Sequence, residues 1–197
     1  STNSTSSSTS GARLAIEYDP SAQKVFIMFT SGVTPTGIVG TVSGTSISFG
    51  TATGISSMGG AGLDIAYNST VNKHAVVSLG HQGHQSGIKV VMATISGTGC
   101  SFGTPVTPSS SGYSYSTSVA SSDSEAKIFV SCRQNGYYLE LWALTISGTT
   151  LTLGSEWDSY AQTSPAHKAY ATVMIFDRII KKPVVVFSSN NTGSPSS

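Results

Sequence analysis

Charged side chains are scarce in this chain of 197 residues. Lys and Arg number 10, Asp and Glu number 9, and together they make up 10% of the sequence, against about a quarter in ordinary soluble domains. The net charge is +1, which argues against nucleic-acid binding, because such binding needs a basic patch that displaces counterions. The longest run of basic residues is Lys181-Lys182, so attraction to an anionic membrane is not expected either.

Cysteine and long apolar runs are scarce as well. Cys100 and Cys132 are the two cysteines, too few for a disulfide framework, and we expect two half-buried thiols. No apolar run approaches the roughly 20 residues of a membrane span, so membrane insertion is not expected. Residues 1–11 are rich in Ser and Thr and lack the basic and apolar regions of a signal peptide. They are expected to form a flexible linker.

A decamer that occurs three times is the strongest signal that the sequence does contain. It reads "TVSGTSISFG" at 41–50, "TISGTGCSFG" at 94–103 and "TISGTTLTLG" at 145–154, so the offsets are 94 − 41 = 53 and 145 − 94 = 51. A period of about 50 residues indicates a repeat array. Each decamer predicts two short strands joined at Gly44, Gly97 or Gly148, because glycine adopts the positive φ of a tight hairpin without steric cost.

Short apolar runs around each decamer predict four strands in each repeat. The runs are rich in β-branched and aromatic residues and are bounded by Gly, Pro, Ser, Asn or Asp. We therefore predict an all-β fold of four-stranded antiparallel repeats, β-propeller-like, in which neighbouring sheets cover each other's apolar faces. A trimeric β-structured fibre segment is the alternative. The predicted units are repeat 1 (12–57), repeat 2 (58–110), repeat 3 (111–159) and partial repeat 4 (160–197).

The fourth unit ends after its second predicted strand. The chain is therefore expected to be one β-repeat domain that forms part of a longer polypeptide. In all units the turn between the first two strands carries a polar residue, in the sequences Tyr18-Asp19-Pro20, Tyr67-Asn68-Ser69, Ser122-Asp123-Ser124 and Phe176-Asp177-Arg178. Asp and Asn side chains at turns hydrogen-bond their own backbone, so we expect a turn role for them and not a ligand role.

The first unit carries a resemblance to a known group of proteins. Its sequence "YDPSAQKVFIMFTSG…GIVGTVSGTSISFGTA" resembles the tandem repeats of tail-fibre and other virion-surface proteins of tailed bacteriophages, closely over residues 14–52. The second and third units match mainly at "TISGT", at Gly103 and Gly154 and in the Lys-led strand, and the fourth matches at Asp177 and "KKPVVVF". The resemblance implies a virion-exposed, propeller-like module that acts in host recognition or surface decoration.

The loops between the second and third strands vary most among the units. Stacking would place them on one face, and loops on a rigid scaffold commonly carry binding residues. Amide groups and flat aromatic rings suit sugars, so we expect a host-surface glycan or receptor as partner; the alternative is that these loops are simply solvated. The candidate ligand-binding residues are Gln82, Gln85, Arg133, Gln134, Asn135, Tyr137 and Tyr138.

His81 and His84, in "HQGHQ", are the candidate metal ligands. A zinc site needs three or four ligands, and no carboxylate or thiol lies nearby in sequence. We therefore do not expect a metal there, and no cofactor is expected elsewhere.

An enzyme is not expected from the remaining residues. The acidic residues are scattered without the paired carboxylates of a glycosidase, and motifs of nucleophilic or metal-dependent hydrolases do not occur. Trp142 is expected in the core, whereas Trp157 is a candidate for a sugar groove. The sequence thus favours a non-enzymatic recognition module at the virion surface, outside the cell, with other virion proteins or further copies of itself as partners. An inert decoration protein and a glycan-depolymerising spike are the alternatives.

Overall fold

The computed structural model describes residues 14–80, 87–109, 116–133, 138–158 and 169–189. Within these ranges the chain is all-β, and every strand pairing is antiparallel. The predicted fold class is confirmed, with successive sheets that follow the repeats. No helix in the described ranges is long and apolar enough to cross a membrane.

The sheets follow one another along the chain, and each begins a new repeat. The first sheet contains β1 (Leu14–Asp19), β2 (Lys24–Ser31), β3 (Thr34–Ser43), β4 (Ser46–Phe49) and β5 (Thr53–Gly54). The second contains β6 (Ala61–Asn68), β7 (Lys73–Leu79), β8 (Ile88–Ser96), β9 (Gly99–Phe102) and β10 (Val106–Ser109). The third contains β11 (Thr117–Ser121), β12 (Lys127–Arg133), β13 (Leu139–Ser147) and β14 (Thr150–Asp158), and the fourth contains β15 (Ala169–Asp177) and β16 (Lys182–Ser189).

The three decamers form hairpins, as predicted. In the first, β3 and β4 pair up to Ser43 and Ser46, on either side of a two-residue turn. The φ angles of Gly44, Gly97 and Gly148 are 58°, 60° and 60°, the left-handed region that favours glycine. One segment differs from the prediction: residues 34–37, predicted as loop, are the start of β3, because they pair with both β2 and β5.

Successive sheets stack through their first strands. β1 lies against β6, β6 against β11, and β11 against β15. The second and third sheets therefore each have one face directed toward the preceding sheet and one toward the following sheet, as in the blades of a propeller. The sheets find these partners within one chain, which favours the propeller-like arrangement over the fibre alternative.

Two apolar cores lie between the sheets. Between the first and second sheets, Phe26 and Met28 pack with Ile65 and Val76. Between the second and third, residues of β7 and β8 pack with residues of β12 and β13, including Trp142. Trp142 is 2% exposed, so its predicted core position is confirmed. Burying a large apolar side chain contributes about 1.5–3 kcal/mol, and these cores therefore account for much of the cohesion between sheets.

Glycine at the end of each of the first two decamers allows the next hairpin to approach. A Cβ built on Gly50 would collide with the carbonyl oxygen of Thr98, and one on Gly103 would lie 2.5 Å from the carbonyl oxygen of Thr149. Thr98 and Thr149 follow the turn glycines of the next two hairpins. The decamer is therefore both a hairpin and a contact between neighbouring sheets, which gives a packing reason for its repetition.

The third and fourth sheets meet through both ring and hydrogen-bond contacts. The rings of Phe129 and Phe176 stack at a centroid distance of 5.8 Å. The Oγ atom of Ser118 accepts the N–H of Met174 at 3.0 Å, and the Oγ atom of Ser116 accepts that of Thr172 at 3.1 Å. The fourth sheet is thereby held in the same relation to the third as each earlier sheet is to its neighbour.

Candidate functional site

The turns between the first two strands all lie at one end of the stack. In three of them an Asx Oδ1 atom accepts two backbone N–H groups of its own turn, and in the third repeat Ser122 Oγ does so. The acceptors and donors are Asp19 with Ser21 and Ala22, Asn68 with Thr70 and Val71, Ser122 with Ser124 and Glu125, and Asp177 with Ile179 and Ile180. The turn role is confirmed, although in the third repeat the capping residue is Ser122 and not Asp123.

In the first two repeats the second polar atom of the turn side chain, Asp19 or Asn68, crosses to the next repeat. Asp19 Oδ2 lies 3.3 Å from Nε2 of His74, a fully buried residue of β7. Asn68 Nδ2 donates to the carbonyl oxygens of Ser122, Glu125 and Lys127 at 3.0–3.3 Å. Each side chain therefore closes its own turn and also aligns the next sheet.

Between the third and fourth repeats, an ion pair makes the contact that the turn side chains make at the first two junctions. Lys181 Nζ lies 2.8 Å from Oδ2 of Asp123, and this ammonium group holds the pKa of the Asp123 carboxyl below its ordinary value. Since both side chains are at least partly exposed, the pair contributes little to stability. It fixes the position of the fourth turn more than it strengthens the fold.

The imidazole of His74 is held between two aromatic rings. Its centroid lies 5.0 Å from that of Phe26 and 5.1 Å from that of Tyr67. Burial lowers the pKa of His74 below its ordinary value and outweighs the opposing effect of Asp19. Burial would raise the pKa of Asp19, but hydrogen bonds from Ser21 and Ala22, together with His74, hold that pKa below its ordinary value. The pair is therefore a neutral imidazole whose Nε2–H donates to a carboxylate.

We expect the free energy of unfolding to fall when the pH is lowered below about 6.5, the ordinary pKa of histidine. The unfolded chain takes up a proton on His74 first, so stability is full above that pH and is lost until the lower pKa of the folded state is reached. Urea unfolding at several pH values, for the natural chain and for His74→Gln, measures this.

The glutamine side chain still donates to Asp19 but does not titrate. The loss on acidification should therefore be smaller in His74→Gln than in the natural chain. Glu17 and Asp64, whose raised pKa values act in the opposite direction, are common to both proteins and cancel in the comparison. Identical pH profiles would contradict the assignment.

A cavity of about 340 Å³ opens at the same end of the stack, where the first strands of all four sheets converge. Its lining combines two carboxylates (Glu17 and Asp123), a guanidinium (Arg178), hydroxyl groups (Ser69 and Ser121) and aromatic rings (Tyr67 and Phe176). Pockets of about 300–1,000 Å³ are typical of small-ligand sites, so this is the candidate functional site among the described residues.

Small side chains at one repeated position leave room for this cavity. Counting along each first strand from the turn residue, Glu17 corresponds to Ala66, Ala120 and Ile175, and all four line the cavity. Ala66 and Ala120 are too short to fill the space between the strands. Glu17 is the charged member of an otherwise apolar set, which places a carboxylate in the wall of a pocket.

The Glu17 carboxyl group is partly withdrawn from solvent, and its pKa is raised as a result. Burial and, secondarily, repulsion by Asp64 raise its pKa. The pKa of Asp64 is also raised by burial, although Val119 N–H, Ser118 Oγ–H and Ile65 N–H donate to its carboxylate. Asp64 does not line the cavity; it connects β6 to β11. Asp123 also lines the cavity, but its carboxylate is paired with Lys181. Among the described lining residues, Glu17 is therefore the carboxylate available to hydroxyl or ammonium groups of a ligand.

Arg133 and Tyr138, two of the binding residues expected from the variable loops, lie at the opposite end of the third sheet from the cavity. Arg133 ends β12 and Tyr138 immediately precedes β13; both are half-buried and lie on either side of the loop between those strands. The other predicted ligand residues, Gln82, Gln85, Gln134, Asn135 and Tyr137, lie outside the described residues. Arg133 and Tyr138 are thus separate from the cavity, which neither of them lines.

Candidate metal ligands are not brought together in the described part of the chain. No group of three or more His, Cys, Asp or Glu side chains there could hold a metal ion, while His81 and His84 lie outside it. Cys100 and Cys132 are both thiols, as expected. Cys100 is half-buried, but Cys132 is fully buried, and its Sγ lies 3.7 Å from Oε2 of Glu140.

The cavity is the feature that sequence reasoning missed. Its signal was available in the repeats, since an alignment of the four turn residues places Glu17 opposite two alanines. Comparisons of the chain with protein-family models, with curated proteins and with solved structures find no match.

Proposed function

We propose that the chain is a non-enzymatic recognition module of a virion surface and that it binds a glycan of the host cell surface. The cavity at the convergence of the first strands carries this proposal. A sugar presents several hydroxyl groups, which a carboxylate and serine hydroxyls can bind, and an apolar ring face, which suits Tyr67 or Phe176. The phage-like character of the repeats, strongest over residues 14–52, supports the setting.

The second binding surface to consider is the loop end, bounded by Arg133 and Tyr138. A guanidinium and a phenol ring are also suited to sugars. The two ends are far enough apart in the fold to be tested by separate substitutions. A module that bound through the loops would keep its affinity when the cavity is changed.

Glu17→Gln is expected to weaken glycan binding by about tenfold or more, since a hydrogen bond to a charged group contributes roughly 1.5–3 kcal/mol. The experiment probes a bacterial-glycan array with the purified chain and then measures the affinity of each variant for a glycan that binds. Glu125→Gln is the matched control, because Glu125 is exposed at the third turn and does not line the cavity.

Each outcome assigns the function differently. Loss of binding in Glu17→Gln alone supports the cavity, whereas loss only in Tyr138→Ala moves the site to the loops. If the folded natural chain binds no glycan on the array, the result contradicts glycan recognition and favours an inert decoration protein. Shortening of the polysaccharide during incubation would contradict the non-enzymatic assignment and favour a depolymerising spike.

A further inference from the structure

One apolar face of the first sheet is not covered by any other part of the chain that the structure describes. Its side chains point away from the second sheet, and we call them the head face. It contains exposed residues of β1, β3 and β4: Leu14, Ile16, Tyr18, Val42, Ile47 and Phe49. An exposed set of large apolar side chains on one face is unusual for a soluble surface and indicates an interaction site.

The same positions are covered in the second repeat. Ile16 corresponds to Ile65, which is 6% exposed, whereas Ile16 is 57% exposed. Tyr67, Ile95, Cys100 and Phe102, which correspond to Tyr18, Val42, Ile47 and Phe49, are half-buried. The side chains that cover this face come from the first sheet, chiefly Phe26 and Met28. The head face is therefore one half of an interface whose other half is already known.

The complementary half lies on the fourth sheet, where no other described residues cover it. Val173 and Ile175 of β15 pair across the sheet with Val186 and Val184 of β16, so these four side chains share one face, which we call the tail face. Val184 and Val186 correspond to Phe26 and Met28, the residues that cover the second sheet. Val173 is 61% and Val186 is 65% exposed. The tail face therefore presents apolar side chains at the positions that Phe26 and Met28 occupy in the first sheet.

A polar group accompanies the tail face as well. Asp177 Oδ1 accepts two N–H groups of its own turn, as the Oδ1 atoms of Asp19 and Asn68 do. In Asp19 and Asn68 the other polar atom of the side chain contacts the next repeat. Oδ2 of Asp177 occupies the crossing position but has no hydrogen-bond partner among the described residues. The tail face therefore repeats both components of the internal junctions, the apolar surface and the crossing atom.

We propose that the tail face of one chain docks on the head face of a second copy, in the same way that each sheet docks on the next within the chain. The contact is head to tail, so each copy offers one face of each kind. The occupant is a second copy because the chain itself carries both halves of the junction.

Light scattering and sedimentation of the full chain at micromolar concentrations test this proposal, and a dimer is expected. Ile16→Lys places a charge on the head face and Val186→Lys one on the tail face, and each variant alone should be monomeric because the lysine would be buried without a partner. Both positions are exposed in the single chain, so the fold should be retained. Ser101→Lys, exposed on β9 in the second sheet, is the control and should remain dimeric.

Mixing the two monomeric variants tests directly whether the contact is head to tail. The variant with the altered head still has an intact tail, and the other still has an intact head, so an equimolar mixture should recover a dimer. A natural chain that stays monomeric would overturn the proposal. Dimers of Val186→Lys alone would also overturn it, because they would show head-to-head contact.

Discussion

Asn68→Asp is expected to lower the free energy of unfolding by about 3 kcal/mol or more, although the two side chains have nearly the same shape. The amide Nδ2 atom donates to three carbonyl oxygens of the next repeat, and Asn68 is fully buried. A carboxylate there would face these acceptors with no proton to give. Urea unfolding followed by far-ultraviolet circular dichroism measures the loss.

The reverse substitution at the equivalent position is the matched control. Asp19→Asn is expected to cost about 1–2 kcal/mol, less than Asn68→Asp, because it leaves one neutral buried donor without a partner. The new amide would face Nε2 of His74, and the imidazole can accept there by moving its proton to Nδ1, which has no hydrogen-bond partner among the described residues. Equal losses in both variants would contradict the assigned directions of these hydrogen bonds.

Gly50→Val is expected to destabilise the fold by about 2–3 kcal/mol, the upper range for overfilling a packed site. The added side chain would displace the Thr98 backbone, which cannot yield as a flexible side chain can. Gly103→Val should act alike against Thr149. Thermal and urea unfolding of the two variants measure the effect, which should appear as a lower midpoint with a single transition.

Gly99→Ser is the control for these two glycines. A Cβ on Gly99 would lie 3.7 Å from the nearest heavy atom, the carbonyl oxygen of Ser96, which is ordinary contact. The first repeat already has a serine, Ser46, at this position. A change within about 0.5 kcal/mol is expected, as for ordinary surface substitutions. If Gly50→Val were equally mild, close approach would not be the reason for its glycine.

Local features of this fold could be predicted from the sequence, whereas contacts between repeats could not. The hairpins at Gly44, Gly97 and Gly148 follow from neighbouring residues, and so does the turn role of Asp19, whose donors are two and three residues away. The partner of its second oxygen, His74, is 55 residues away. Spacing along the chain does not determine which donor meets it, since that depends on how the sheets stack.

The candidate site was not predicted from the sequence either, because it too depends on how the sheets stack. Glu17 looks like a solvated strand residue until the four first strands are brought together, and only then do Ala66 and Ala120 leave space beside it. The predicted loop residues were chosen because their sequences vary, which is a local criterion. A cavity made by several repeats at once is detected by comparing equivalent positions, one from each repeat.

The junctions between repeats combine a uniform contact with individual ones, and this bears on how the gene can change. The glycine–threonine contact is the same at the first two junctions and would accept any unit as neighbour. The crossing side chains differ: a carboxylate meets an imidazole, an amide meets carbonyls, and a carboxylate meets an ammonium group. Duplication or exchange of a unit would keep the first contact and mismatch the second. The crossing side chain at each junction is therefore one of the contacts that favour the present order of units, and a rearranged gene would need a compensating substitution at that turn residue or at its partner.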